Sequence, residues 1–253
     1  MAGMLSGGKL LRQRPFRAPH HSCSQAALVG GGTRARPGEI SLAHGGVLFL
    51  DELPEFPRQT LEALRQPLES GEVTIARAHA HVTYPSQVQL VAAMNPCRCG
   101  YMGDSRRQCS RAPSCGRDYL NKLSGPLLDR FDLFVDVPPV HPKDLAATAS
   151  QQSTASSFVA EYVQSLRVRQ LERQGVLNAH LSVKDLNHHA GLHLEAKNLL
   201  VQAMERWGLS ARSYHRAIKV ARTIADWEGS DTIEKVHMGE TLSYRLVVEG
   251  GSL

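Results

Sequence analysis

The 253 residues are 42% hydrophobic, enough to bury the core of one large domain or two smaller ones. No stretch approaches the roughly 18 uncharged apolar residues of a membrane span, and the N-terminus has no apolar signal core, which argues against secretion and for a cytoplasmic location. The formal net charge of +5 permits nucleic acid as a partner without demanding it, and four of the five cysteines fall between 97 and 115, which suggests a metal site rather than a disulfide scaffold.

The chain opens on GMLSGGKL (3–10), a near match to a phosphate-binding loop. Leu10 stands where the loop needs a Ser or Thr hydroxyl for Mg²⁺, and only Met1 and Ala2 precede Gly3 where a buried strand should enter. The stretch reads as a flexible Gly/Ser start. Residues 1–40 are rich in Gly, Arg, Pro and Ser and predict loops with short helical pieces. Lys9, Arg12, Arg14, Arg17, Arg34 and Arg36 face Glu39 alone there, a balance that suits a phosphate backbone, although a solvated basic face has the same composition.

GGVLFLDE (45–52) places four apolar residues before two acids and predicts a strand buried on both faces, as in a parallel sheet covered by helices. TLEALRQPLESG (60–71) has Leu61, Leu64 and Leu68 at helical spacing, with Gly71 as the stop and Pro67 expected to distort the last turn. EVTIARAHAHVTYP (72–85) alternates and predicts a hairpin. VQLVAAMNP (88–96) predicts a second buried strand. LSGPLLDRFDLFVDVPPV (123–140) predicts a turn, a short helix and a further apolar strand, and the polar stretch 141–157 a linker. From 158 onward, segments with apolar residues three and four apart stop at Gly175, Gly208 and Gly229, and a last one covers TIEKVHMGETLSYR. The expected layout is an α/β domain over 1–140, a linker over 141–157 and an all-helical domain over 158–253.

A strand that delivers two adjacent acids to its carboxyl end is what nucleotide hydrolysis requires, because ligands bind at that edge of open α/β sheets. Asp51 would hold Mg²⁺, directly or through water, and Glu52 would orient or deprotonate the attacking water. Asn95, at the end of the next strand, would help position that water. Taken alone, the acids also fit a solvated strand end, and Asn95 a turn before proline. Cys97, Cys99, Cys109 and Cys115 form C-x-C-x₉-C-x₅-C, which departs from paired C-x₂-C knuckles. Structural Zn²⁺, reduced surface thiols and a disulfide all remain open. Cys23 is read as unrelated to that cluster, and the neighbouring His20 and His21 as structural or DNA-facing.

Five motifs stand together in order: RPFRAPHHS (14–22), GGVLFLDELPEF (45–56), AMNPCRCGYMGD (93–104), SGPLLDRFDL (124–133) and LSARSYHRAIKVARTIAD (209–226). With them the chain resembles the ComM/YifB family, bacterial AAA+ proteins similar to the ATPase subunit of magnesium chelatase. The resemblance implies an AAA+ parallel sheet with flanking helices followed by a helical lid, with ATP and Mg²⁺ as cofactors. It implies that Asp51 and Glu52 are the Walker B pair and Asn95 the sensor-1 residue. Arg130 resembles the arginine finger that reaches a neighbouring subunit's nucleotide, where a guanidinium stabilises transition-state charge; a structural ion pair with Asp129 or Asp132 is the bland alternative. Arg212 resembles the sensor-2 arginine, with Arg216, one helical turn on, as the competing choice.

The family implies a homo-hexameric ring whose hairpins hold single-stranded or branched DNA in the channel. Arg77 and His79 at the 72–85 hairpin tip, and Arg34 and Arg36 in GGGTRARPG, are the candidate contacts; with no aromatic at either tip, sequence-independent binding is expected. The expected activity is ATP-dependent branch migration or helicase action in natural transformation and recombination. The alternatives are a magnesium-chelatase-like subunit that remodels a protein partner, and a non-catalytic remnant. Family members carry a P-loop ahead of RPFRAPHH that this sequence does not contain, so the 253 residues by themselves are expected to bind ATP weakly and not to hydrolyse it usefully.

Overall fold

The structure, a computed structural model, describes residues 13–77, 80–102, 109–138 and 156–245. The chain divides into two compact units, Met1–Phe131 and Asp132–Leu253. The phosphate-loop look-alike at 3–10, His79 and nearly all of the predicted linker lie outside the described residues.

The first unit is built on three short parallel strands: β1 (Phe16–Arg17), β4 (Val47–Leu50) and β7 (Gln89–Ala92), in the order β1-β4-β7. A parallel order requires long crossovers, and the chain uses them to hold the helices and ladders that precede β7. The first crossover carries α1 (Gln25–Val29), a small ladder of β2 (Gly30–Gly31) with β3 (Arg36–Pro37), and α2 (Glu39–Leu42). The second carries α3 (Arg58–Glu62), α4 (Arg65–Ser70) and a hairpin of β5 (Glu72–Arg77) with β6 (Ala80–Pro85). The core gathers Leu28, Ile40, Leu48, Leu50, Leu61 and Leu64, all buried.

Two expectations are corrected here. β4 and β7 are strands, but neither is buried on both faces. Leu48 and Leu50 are inaccessible, whereas Val47 and Phe49 are half-exposed and Val91 is 39% exposed. The alternation follows the pleat: one face lies on the core and the other does not. The helix predicted over 60–71 is two helices, broken at Ala63–Leu64. Pro67 has no N–H to give Ala63 and its ring crowds that carbonyl, so it sits inside the first turn of the second helix rather than distorting the end of one long helix. Gly71 ends it with φ +73°, as expected.

The second unit is helical. α7 (Ser156–Gln174), α8 (Val183–His189), α9 (Leu194–Trp207), α10 (Ala211–Trp227) and α11 (Lys235–Ser243) follow one another, with Leu192 and Ile233 bridging in parallel. Ser182 and Ser210 cap α8 and α10 by accepting from Asp185 N and Ser213 N. The apolar stripes of α9 and α10 close on Leu200, Ala217, Ile218, Ala221, Ile233 and Met238 as one core. Beside it lies a buried charge cluster. Arg222, wholly buried, donates to Asp226 and to the carbonyls of Ala190, Ser230 and Asp231, while Arg173 forks onto Asp226 at 2.5 and 3.0 Å.

The apolar strand predicted within 132–138 does not form. Among the described residues it has no ladder partner, and Leu133, Val135 and Val137 are 50%, 65% and 85% exposed. One backbone bond, Phe134 N–H to Tyr244 O at 2.7 Å, ties the segment to the end of the helical unit.

Candidate functional site

Parallel pairing decides which residues meet at the carboxyl edge of the sheet. Leu50 of β4 is in register with Ala92 of β7, and the two strands continue to bond past their ends: Ala93 N–H to Leu50 O at 2.9 Å and Leu53 N–H to Ala93 O at 3.0 Å. Asp51 and Glu52 therefore leave β4 beside Ala93, and exposed Asn95 lies three residues beyond Ala92 on the same edge.

Glu52 stands at φ +52°, ψ +46°, a left-handed backbone rarely adopted by a residue with a side chain, and it opens a 3₁₀ turn at Leu53–Glu55. The Asp51 carboxylate accepts from the Glu52 N–H at 2.9 Å, which helps hold that conformation. Both acids are exposed. One residue here was missed as a site residue in the sequence. His21 Nδ1 lies 3.0 Å from Glu52 Oε2, so the carboxylate expected to act on water is held by an imidazole. His21 arrives because β1 runs parallel to β4, which sends Pro19–His21 to the same edge as Asp51–Glu52. A two-residue strand leaves almost no periodic signal, although the RPFRAPHHS motif marked the place.

The basic candidates separate. Arg17 forks onto Glu39 at 2.5 and 2.7 Å, and Arg14 donates to Gly45 O at 2.8 Å. Arg34 and Arg36 are exposed and line an open hollow with Gly31, Gly32 and Thr33. The loop that carries them packs against the base of the β5–β6 hairpin. Tyr84 Oη donates to Ala35 O at 2.8 Å, and a Cβ on Gly30 (φ +106°) would meet Ile75 Cδ1 at 2.9 Å. The structure thus joins the Arg34/Arg36 loop to the strands of the hairpin. Arg77 pairs with Ala80 at the far end of the hairpin, about 13 Å along the strand at ~3.3 Å per residue.

Arg130 follows α6 (Gly125–Leu128) and turns inward. Its guanidinium, 6% exposed, donates to Glu69 at 2.5 Å, to Arg65 O at 2.9 Å and to Pro126 O. Its ion pair is with Glu69. In the helical unit Arg212 lies exposed in the first turn of α10, while Arg216 pairs with Asp132 at 2.7 Å.

The four clustered cysteines converge. Their sulfurs all lie within 4.8 Å of one another, with Cys97 Sγ and Cys99 Sγ 3.2 Å apart, and all are free thiols, as is Cys23. A tetrahedral ion with bonds of ~2.3 Å would separate its sulfurs by about 3.8 Å, so this donor set fits structural Zn²⁺. Burial opposes ionisation of Cys97, but hydrogen bonds from Cys99 and from the backbone amides of Met102, Cys99 and Gly100 outweigh it and bring its pKa down to about 7. A hydrogen bond from the Tyr101 backbone favours the Cys99 thiolate, but the same contact with Cys97, with Cys109 close by, pushes that thiol up to about 11, so the pair gives up one proton readily and holds the other.

α5 (Ser114–Leu120), which carries Cys115, rests on the same edge. Gly116 is wholly enclosed: a Cβ there would lie 2.5 Å from Met102 Cε and 3.1 Å from Pro96 O. Lys122 Nζ pairs with Glu55 at 3.1 Å. Burial, then the nearby Glu55 carboxylate, pushes the Tyr119 phenol up to about 12.

The family described as magnesium chelatase, subunit ChlI, matches residues 1–145, and its C-terminal counterpart matches residues 153–245. Competence protein ComM of Haemophilus influenzae is 51% identical over 237 residues, 94% of this chain and 46% of that protein. YifB of Escherichia coli, an uncharacterised protein, is 48% identical over 239 residues, 94% of this chain and 47% of that protein. More distantly, DNA replication licensing factor Mcm6 of Drosophila melanogaster is 23% identical over 218 residues, 83% of this chain and 25% of that protein. The chain spans about half the length of the ComM and YifB relatives it matches.

Proposed function

The chain belongs to the ComM/YifB family of magnesium-chelatase-like proteins, and from that membership we propose that it is part of an ATP-dependent, ring-forming DNA motor that drives branch migration in transformation and recombination. The observation that carries this reading is the shared edge: Asp51 and Glu52 at the end of β4 and Asn95 just past β7, on strands in parallel register.

In this reading Mg²⁺, when bound with ATP, neutralises the charge of the phosphates. Asp51 holds the ion directly or through its water. Glu52 takes the proton of the attacking water, which requires that it leave His21; the pairing at 3.0 Å keeps an idle site from reacting with water. Asn95 donates its amide to the water or the terminal phosphate. Arg130 serves a neighbouring copy in a homo-hexameric ring, for which it must exchange Glu69 for phosphate. Arg212, or Arg216 one turn on, supplies the lid contact. Arg34, Arg36, Arg77 and His79 hold the DNA backbone without reading bases. The cysteine set holds a structural Zn²⁺. Among the described residues no helix is long and apolar enough to cross a membrane, and we place the protein in the cytoplasm, where its DNA is.

DNA binding tests the reading. Fluorescence anisotropy of single-stranded and branched DNA should saturate with this chain, weaken steeply with salt, and weaken further with the Arg34→Ala/Arg36→Ala double variant. A chain that ignores every form of DNA but binds a protein partner is a remodelling subunit of the magnesium-chelatase kind instead.

A further inference from the structure

The cysteine cluster is not an isolated knuckle. Cys97 and Cys99 follow Asn95 and Pro96 directly on the strand that ends at the candidate nucleotide edge, whereas Cys115 sits on α5. Three contacts fasten α5 and the turn after it to the neighbouring parts of that edge. Gly116 presses on the Pro96 carbonyl so closely that a Cβ would come within 3.1 Å of it. Five residues beyond α5's start, Tyr119 lies buried by Glu55, and Lys122 reaches Glu55 at 3.1 Å. Glu55 closes the 3₁₀ turn that Glu52 opens.

Resting on the reading of Asp51, Glu52 and Asn95 as the hydrolytic edge, we propose that Cys97, Cys99, Cys109 and Cys115 bind one Zn²⁺ and that this metal is a clamp fixing Asn95 relative to Glu52. Binding converts four thiols and a divalent ion into a tetrathiolate with a net charge of −2 and releases four protons, with no change of oxidation state. Arg98 and Arg117, both exposed beside the ligands, temper that charge. The metal joins the end of β7 to α5, and α5 joins the turn after β4. Between Ala93 and α5 no helix or strand intervenes among the described residues, and Cys97 is the only apolar side chain buried there among them, so the metal adds a bond where packing is sparse. Asn95 and the acids come from different strands, so a water held between them needs both strand ends fixed to within a fraction of an ångström. The cysteines are positioning residues in this scheme, not catalytic ones.

The test needs no nucleotide. The chain, purified without a chelating column, should carry about one zinc by elemental analysis, and Co²⁺ added to the stripped protein should give the intense visible bands of tetrahedral thiolate cobalt. Hydrogen–deuterium exchange should then speed up several-fold on stripping in peptides covering 93–101 and 52–56, with no change in α9–α11. Lys122→Ala should keep the zinc, and stripping that variant should then raise exchange at 52–56 by less than stripping the parent does, a coupling that a metal acting only on its own loop would not give. Cys99→Ser, at the exposed ligand, should lose metal and reproduce the stripped pattern. Zinc near zero with no cobalt spectrum, or a disulfide seen as a two-hydrogen mass loss, overturns the site. Exchange confined to 97–115 overturns the clamp. A protein that passes all of these but never binds Mg²⁺-ATP in its assembled form sinks the functional reading and leaves the metal in place.

Discussion

The two units solve opposite problems. The helical unit closes its own core: α9, α10 and α11 bury a continuous apolar cluster, and its central charge pair is well bonded, with Arg222 and Asp226 each making several hydrogen bonds. The sheet unit leaves much of one sheet face accessible, with Phe16 62% and Val91 39% exposed, and places its acids, amide and histidine at the strand ends in solvent. Buried pairing of this sort fixes a shape, whereas exposed acids at a strand end remain available to a ligand. Charged groups at the centre of the helical unit hold its fold, and those at the rim of the sheet unit are candidates for chemistry.

Removing one member of the buried pair should break that contrast most sharply. Asp226→Ala leaves Arg222 buried and uncompensated and should destabilise the helical unit by ~3–5 kcal/mol, read as a separate, lowered melting transition. Equal loss in both units would mean that they unfold together and the comparison fails. In the sheet unit the sensitive point is backbone proximity rather than charge. A Cβ on Gly46 would lie 1.9 Å from Pro15 O, so Gly46→Ala should force β1 away from β4 at about 1–3 kcal/mol, measured by urea unfolding. It should also free Glu52 from His21, read as a change in the His21 ring resonances.

Acid should sharpen the difference. Burial opposes the Asp226 charge, but hydrogen bonds from Arg173 and Asn178 and the charge of Arg222 hold its carboxyl below the ordinary carboxylate value. A depressed acid stabilises the fold fully above its unfolded value of ~4 and loses that contribution as pH falls through the lower folded value. The helical unit should therefore hold its stability from neutral pH down to about 4 and lose it steeply below. In the sheet unit Glu55 is lowered by its Lys122 hydrogen bond, but it is largely exposed and should yield a shallower slope. A helical unit whose melting temperature is flat to pH 2 would contradict the assignment. The smallest effect belongs to the rim: Arg77→Ala should reduce the slope of log K against log salt for DNA by about one and leave folding untouched.

Much of this was legible from the sequence because it is local. Gly71, Gly175, Gly208 and Gly229 stop helices, Ser210 caps one, and the alternation in 72–85 makes a hairpin; each needs only neighbouring residues. The strands over 47–50 and 89–92 were readable as apolar runs, but their one-sided burial was not. Burial depends on what the other elements cover. The segment 132–138 alternates as a strand should and is none, because a strand exists only when another strand offers its backbone.

The five motifs carried the resemblance to the family, and the roles expected at the candidate edge came with that resemblance; the order of sheet and helical parts was legible in the residue patterns, because each pattern is a run of neighbouring residues. Only the tertiary structure decided that His21 holds Glu52, that Arg130 lies against Glu69, that the Arg34/Arg36 loop rests on the hairpin's strands, and that four sulfurs spread over nineteen positions meet within 4.8 Å. Parallel pairing and helix docking bring those groups together across long stretches of chain. No local pattern encodes such distances, because they are set by which surfaces the whole unit can bury at once.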